Sequence, residues 1–437
     1  MPLPAIIEVV PPANWPARAE ITVPGSKSIT NRALILAALA DDETTLRGAL
    51  WSEDTQVMIE ALQKLGFDIK VEADPDEFCN RTITIRGLGG KIPNGGTPEQ
   101  PLEIFVGNAG TAARFLSALV CLGHGVYRVS GVPRMHERPQ AALFQALREL
   151  GRRVESENGN DKLPVKIFGR ADLPVGQDAR QRVPAKSCQV SIEASSQFAS
   201  ALLLCAGVGG WQVEVVGDNA EESPYVAMTA QLIGAFPRRG GVFQVEPDAS
   251  GGSYFWAINA LPSVSSSVRV ARWPQSGWQV DERFPRFLPV PAVVSRTRDL
   301  GDSIMTAIVL SPVALLPARF TDLGRLRVQE CERVVALRTE LTRCGAKVVE
   351  DDDTLTVYPS SLHGAEIETY HDHRMAMSFT ILGLKVPGMK IKNPACVKKT
   401  FPNFFQKLAA QPPHGLGVGF RDAATGRALD AGELFAD

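Results

Sequence analysis

The chain is poor in cysteine, has no long apolar run, and carries no excess of charge of either sign. Its seven cysteines in 437 residues are Cys79, Cys121, Cys188, Cys205, Cys331, Cys344 and Cys396. They are scattered without a CxxC pair, which excludes a compact disulfide framework and points to free thiols in a reducing compartment. No apolar stretch reaches the roughly 18 residues of a membrane span. The N-terminal MPLPAIIEVVPPANWPARAE lacks the charged start and apolar centre of a secretory signal. A cytoplasmic protein is expected. With 46 basic and 48 acidic residues the net charge is -2, so nothing draws the whole molecule to nucleic acid or to a membrane surface. The Walker spacing GxxxxGK[ST] is missing as well, and with it any signal for a nucleotide triphosphate.

What is present suits two α/β domains. At 437 residues the chain is too long for one ordinary core. Short β-rich runs such as Thr82-Ile83-Thr84-Ile85 and Gln212-Val213-Glu214-Val215-Val216 alternate with amphipathic stretches such as Asp54 to Leu62. The succession of helix, Leu-Gly or Cys-Gly, then strand recurs at Leu65-Gly66, Leu150-Gly151 and Cys344-Gly345. A glycine that closes each helix in the left-handed region explains the recurrence, which predicts repeated α/β units.

The chemistry concentrates in five short segments. Pro24-Gly25-Ser26-Lys27-Ser28-Ile29-Thr30-Asn31-Arg32 joins a glycine turn, hydroxyls and two cations to an apolar helix, the arrangement of an anion site at a helix N-terminus. A capped helix with solvated cations is the plain alternative for that segment alone. Gly107-Asn108-Ala109-Gly110-Thr111-Ala112-Ala113-Arg114 repeats the device, and cations cluster again at Arg134 to Arg138, at His371-Asp372-His373-Arg374 and at Lys398-Lys399. Imidazoles at i and i+2 without a third ligand motif do not make a metal site. No metal and no cofactor are expected.

In their order and wording these segments resemble the 5-enolpyruvylshikimate-3-phosphate synthases (3-phosphoshikimate 1-carboxyvinyltransferases). The resemblance runs through PGSKSITNR, GNAGTAAR, RMHERP, Ser195-Ser196-Gln197, Pro224-Tyr225-Val226, Asp248-Ala249-Ser250 with Ser253-Tyr254, Gly301-Asp302 before Met305-Thr306, RVQECER, HDHRMAM and KKTFPNFF, from about residue 20 to residue 406. It implies an α/β, two-domain inverse-barrel fold of repeated βαβαββ units. Residues 1–23 would join 249–437 in domain I, 24–248 would form domain II, and the active site would lie in the cleft between them. The implied reaction transfers the enolpyruvyl group of phosphoenolpyruvate to the 5-hydroxyl of shikimate 3-phosphate and releases phosphate, in aromatic amino-acid biosynthesis. At least four negative charges must then be held together, a task for arginine forks.

By resemblance Arg138, Arg333, Arg374, Lys399 and Gly110, with Arg114 beside it, would hold phosphoenolpyruvate. Ser28, Arg32 and Tyr225 would orient the shikimate ring, and Ser195, Ser196, Gln197 and Gln329 would surround the 3-phosphate. Asp302 would be the base, Lys27 and Glu330 its partners in proton transfer, and His373 a hydrogen-bonding neighbour of the transferred group. A monomer is expected, and the absence of net basic charge and of a nucleotide-adenylating signature speaks against nucleic acid. The departures are Gln329 and Glu222, where the family has lysine and serine, Phe115 in place of a proline, the poorly matching stretch 272–289 and a tail from Gly415. They keep two alternatives open: a related enolpyruvyl transferase with another acceptor, and a catalytically impaired paralogue that binds anions. The nucleotide-sugar enolpyruvyl transferases carry a cysteine in the loop corresponding to Pro133–Arg138, and none stands there.

Overall fold

Strands in this chain alternate buried and open positions, whereas several helices are buried on every side, and that contrast sets the architecture. The strands Ile6–Val10, Arg18–Ile21, Ser267–Val270 and Thr354–Val357 each bury every second residue. One face of each of these strands is therefore the more open one. Helix Lys27–Leu39 buries every residue from Ile29 to Leu39, and helices Gly110–Leu119 and His373–Gly383 are buried almost throughout. A helix apolar all round belongs inside, so helices form the interior and sheets the wall.

The protein is seen as a computed structural model that describes residues 3–15, 18–170, 186–217, 223–262 and 267–436. Its contacts divide the chain into two compact units: Met1–Pro24, Glu77–Cys79 and Glu246–Asp437 in the first, Gly25–Asp76 and Asn80–Val245 in the second. The short excursion Glu77–Cys79 is held within the first unit. There the Glu77 carboxylate accepts from Thr22 Oγ1 at 2.7 Å, Asn403 Nδ2 at 2.7 Å and Lys407 Nζ at 2.5 Å.

Among the described residues each unit contains two four-stranded sheets and one parallel strand pair. All four of the larger sheets share one pattern, a parallel contact followed by two antiparallel ones. In the second unit Gly241–Gln244 pairs parallel with Glu43–Leu50, which pairs antiparallel with Asn80–Arg86, and that with Ile69–Ala73. Leu102–Phe105, Val126–Ser130, Val165–Phe168 and Arg153–Ser156 repeat it. In the first unit Ile6–Val10 lies between Lys390–Lys392 and the tail strand Gly419–Asp422, both antiparallel, with Glu366–Ile367 parallel beyond. The recurrence of one pattern is the repeated α/β unit. Its punctuation is a glycine after three of the helices: Gly66, Gly151 and Gly345 have φ of +95°, +75° and +91°, a region that L side chains enter only with strain.

Candidate active site

In the second unit the chain enters helix Lys27–Leu39 through a passage too narrow for a side chain. A Cβ on Gly25 would stand 2.0 Å from the Gly48 carbonyl oxygen, while the Gly25 N–H donates to Asn80 Oδ1 at 2.8 Å. Lys27 then projects from the first turn, its Nζ 3.1 Å from Asp54 Oδ2 in the first turn of helix Glu53–Lys64. Arg32 points inward. Its Nε donates to Thr229 Oγ1 at 2.7 Å, Nη2 to Ser200 Oγ at 3.1 Å and Nη1 to the Ser28 carbonyl at 2.9 Å, with the guanidinium 5.3 Å from the Phe115 ring centre. Arg32, Ser200 and Thr229 each lie about a turn and a half into their helices. Arg32 thus ties the first halves of Lys27–Leu39, Ser196–Gly209 and Ser223–Ala235 together. Tyr225 lies in the first turn of the last of these, where its carbonyl accepts from Thr229 Oγ1 at 2.8 Å.

A second cluster of this unit gathers at helix Gly110–Leu119. A Cβ on Gly110 would lie 2.4 Å from Arg114 Nη1 and 2.7 Å from Arg138 Nη2, so two guanidinium groups converge over the glycine. Arg114 Nη2 donates to the Pro139 carbonyl at 2.9 Å and Arg138 Nη1 to the Asn108 carbonyl at 3.2 Å, which fixes both. Gln197 joins them, its Nε2 donating to Thr111 Oγ1 at 3.3 Å. Ser195 caps the adjoining helix by accepting from the Gln197 N–H, and Ser195 and Ser196 are both buried.

In the first unit the candidate residues form one continuous ionic network at the starts of three helices. Asp302 precedes helix Ile304–Leu310 and places its carboxylate 3.0 Å from Arg374 Nη2, 3.3 Å from Arg296 Nη2 and 3.9 Å from Arg333 Nη1. Burial works to raise its pKa, but Arg374, Arg333 and Arg296 outweigh burial and the nearby Glu330, holding the carboxyl well below its usual range. Arg333 is fully buried. Its Nε donates to Asp372 Oδ2 at 2.7 Å, Nη2 lies 2.8 Å from Glu330 Oε2, and Nη1 donates to Gln329 Oε1. Against the opposing effect of burial, Asp372, Glu330 and Asp302 keep this guanidinium firmly charged. Lys399 Nζ closes the network 3.4 Å from Glu330 Oε1. Asp372 caps helix His373–Gly383 by accepting from the Arg374 N–H at 2.8 Å, and His373 Nδ1 lies 3.8 Å from it.

The two units therefore assemble different parts of the expected set. Asp302, Glu330, Arg333, Arg374, Lys399, Gln329 and His373 meet in the first; Gly110, Arg114, Arg138, Ser195, Ser196 and Gln197 meet in the second, as do Lys27, Ser28, Arg32 and Tyr225. Glu222 lies outside the described residues. Sequence reasoning missed Arg296, which belongs to no motif, and Asp54, which counters Lys27. It also gave no role to Asp372, although an aspartate directly before an apolar helix is a readable cap. Among the described residues no group of three or more acidic, histidine or cysteine side chains is placed to hold a metal ion, and no helix is long and apolar enough to cross a membrane.

Comparison with known proteins places the chain in a family. A family model described as EPSP synthase (3-phosphoshikimate 1-carboxyvinyltransferase) matches residues 13–286 and 289–408. A 3-phosphoshikimate 1-carboxyvinyltransferase of Opitutus terrae is 36% identical over 94% of this chain and 98% of its own. One of Trichormus variabilis is 34% identical over 91% of this chain and 97% of its own. Among solved structures, an EPSP synthase of Acinetobacter baumannii aligns with a TM-score of 0.68 at 20% identity, over 95% of this chain and 99% of its own. The enolpyruvyl transferase NikO of Streptomyces tendae aligns with 0.65 at 15% identity, over 96% and 99%. At those identities the structural matches establish the two-domain enolpyruvyl transferase fold.

Proposed function

The chain belongs to the EPSP synthase (3-phosphoshikimate 1-carboxyvinyltransferase) family, and from that premise we infer how its own residues serve the family's reaction. The protein is a transferase that moves the enolpyruvyl group of phosphoenolpyruvate to the 5-hydroxyl of shikimate 3-phosphate and releases phosphate. In the first step the hydroxyl oxygen bonds to C2 of the donor, the hydroxyl loses its proton and C3 gains one. In the second, C3 gives a proton back and the bond from C2 to the phosphate oxygen breaks.

The observation that carries the assignment of roles is the Asp302 carboxylate between Arg374 and Arg296. Those guanidinium groups keep it ionised, so it stands ready to accept the hydroxyl proton, yet they also make it a weak base. Anionic substrates that draw on Arg374 relax that hold and strengthen the base when the reactants are in place. Arg374 and Lys399, with side chains 11% exposed, present their charge outward, whereas Arg333, at 0%, acts through the carboxylates around it. Glu330 and Lys27 are the further proton-transfer pair in this reading, and His373 supports the Arg374 end of the network. In the second unit Arg138 and Arg114 over Gly110 suit a carboxylate or phosphate. Ser195, Ser196 and Gln197 at a helix start suit the 3-phosphate. Arg32 holds Ser28 and the Tyr225 helix in position for the sugar-like ring. Buried cysteines such as Cys121, Cys205 and Cys344 suit a reducing, cytoplasmic setting, and the two substrates, both small anions, call for no nucleic acid.

A coupled phosphate-release assay tests the reading. Turnover that requires phosphoenolpyruvate together with shikimate 3-phosphate is expected. Equal turnover of shikimate would move the acceptor assignment, and release with neither acceptor would overturn the reaction class.

A further inference from the structure

We propose that Asp281 is a positioning residue for this reaction, fixing where the Asp302 carboxylate stands by binding the residues on either side of it. The proposal rests on the reading of Asp302 as the base.

Asp281 lies in the 3-10 segment Val280–Phe287, part of the stretch that resembles the family poorly, and is only 2% exposed. Its Oδ1 accepts from the Gly301 N–H at 2.7 Å and from Ser303 Oγ at 2.6 Å. Its Oδ2 accepts from the Ser303 N–H at 3.3 Å and from Ser250 Oγ. Four donors converge on two oxygens, which suits a side chain that accepts and does not donate. Gly301 and Ser303 are the immediate neighbours of Asp302, so one carboxylate grips the backbone on both sides of the base. Ser250 ties the same carboxylate to helix Ala249–Ile258, a second rigid element.

The loop is built for this approach. A Cβ on Gly301 would stand 2.8 Å from Val280 Cγ1 and 3.2 and 3.3 Å from the Asp281 oxygens. A turn that needed only a cap would be served by the Ser303 contacts; the bond to Gly301 restrains the entry to Asp302 as well. Asp302 depends on such restraint, because its contacts with Arg374 at 3.0 Å and Arg296 at 3.3 Å leave little room for drift. Misplacement of a reacting group by about 1 Å costs on the order of a hundredfold in rate.

Phosphate release by the full chain, with phosphoenolpyruvate and shikimate 3-phosphate, tests this, with rates expressed per site able to bind phosphoenolpyruvate in calorimetry. Asp281→Ala is expected to lower kcat by about a hundredfold and leave both KM values within about threefold. Asp281→Asn, which keeps one acceptor oxygen, recovers part of the loss. The double variant Asp281→Ala/Asp302→Ala turns over no more slowly than Asp302→Ala alone, because a residue that acts through the base has nothing left to act on. Should Asp281→Ala fail to fold, Ser303→Ala replaces it, with an expected loss of about tenfold. A folded Asp281→Ala with near-normal kcat beside an inactive Asp302→Ala would overturn the proposal and spare the reading of the base. Losses that multiply in the double variant would do the same. An active Asp302→Ala would overturn both.

Discussion

Replacing Asp302 by asparagine should bind anions more tightly while losing catalysis. The amide keeps the shape of the side chain and one acceptor oxygen but removes the charge that Arg374 and Arg296 share at 3.0 and 3.3 Å. A hydrogen bond to a charged group contributes about 1.5–3 kcal/mol against about 0.5–1.5 for a neutral one. The exchange at two contacts therefore costs the unliganded protein about 2–3 kcal/mol. An incoming carboxylate or phosphate that takes over one of the two vacated pairings regains about 1–1.5 kcal/mol, which is a gain in affinity of roughly five- to thirteenfold. With the proton acceptor gone, kcat should fall by about 10²–10⁴-fold. Calorimetric titration of phosphoenolpyruvate into Asp302→Asn at saturating shikimate 3-phosphate, beside the phosphate-release assay, reads both effects. Weaker binding than wild type would refute the electrostatic reasoning, and a kcat within tenfold of wild type would refute the role of the base.

The same carboxylate sets a pH dependence: its folded pKa lies below its unfolded value, so its contribution to stability is complete above the unfolded pKa of about 4 and is lost as the pH falls below it. Urea midpoints of wild type and Asp302→Asn should converge below about pH 4, and a constant gap down to pH 2 would contradict this. Gly110→Ala would push a methyl group to within 2.4 Å of Arg114 Nη1 and 2.7 Å of Arg138 Nη2; both are ends of long side chains, so the protein should fold normally and KM for phosphoenolpyruvate rise by about tenfold or more. An unchanged KM would remove Gly110 and Arg138 from the donor site. Gln329→Lys restores the family's residue in sequence but sets an ammonium against Arg333 Nη1, which now donates to the Gln329 carbonyl oxygen. A loss of about 2–3 kcal/mol in urea unfolding is expected, without tighter shikimate 3-phosphate binding; a lowered KM would show that the lysine finds the phosphate instead.

The readable features were those whose physical demand is local. A glycine that must adopt positive φ after a helix announces itself, and Gly66, Gly151 and Gly345 do so. Gly25 and Gly110 were legible as turn glycines, although what crowds them, a backbone oxygen in one case and two guanidinium groups in the other, was not. Contacts between residues far apart in sequence left no trace. Arg32 looked like a surface cation of an anion site, and its engagement by Ser200 and Thr229 follows only from the packing of three helices. Phe115 reads as a departure from the family, but in space it lies beneath that same guanidinium. Gln329 registered as a lost charge, while its role as acceptor for a buried arginine required the fold. Arg327, equally prominent in sequence, is committed to Glu332, Glu350 and Asp353. The tail, which extends past the family match, turns out to supply the strand Gly419–Asp422.

That last strand and Lys390–Lys392 are the two partners of Ile6–Val10, and the arrangement has a consequence for the newborn chain. On the ribosome Ile6–Val10 emerges well ahead of both its neighbours, which are made on the order of 400 residues later, a wait of about 20–80 s at ordinary speeds of synthesis. Every strand pair of Gly25–Val245 can close before then. For that interval Ile6–Val10 is an apolar ribbon with two open edges, the kind of segment that recruits other chains. Pro4 on one side, Pro11 and Pro12 on the other, and Glu8 in its centre are what the sequence sets against that hazard.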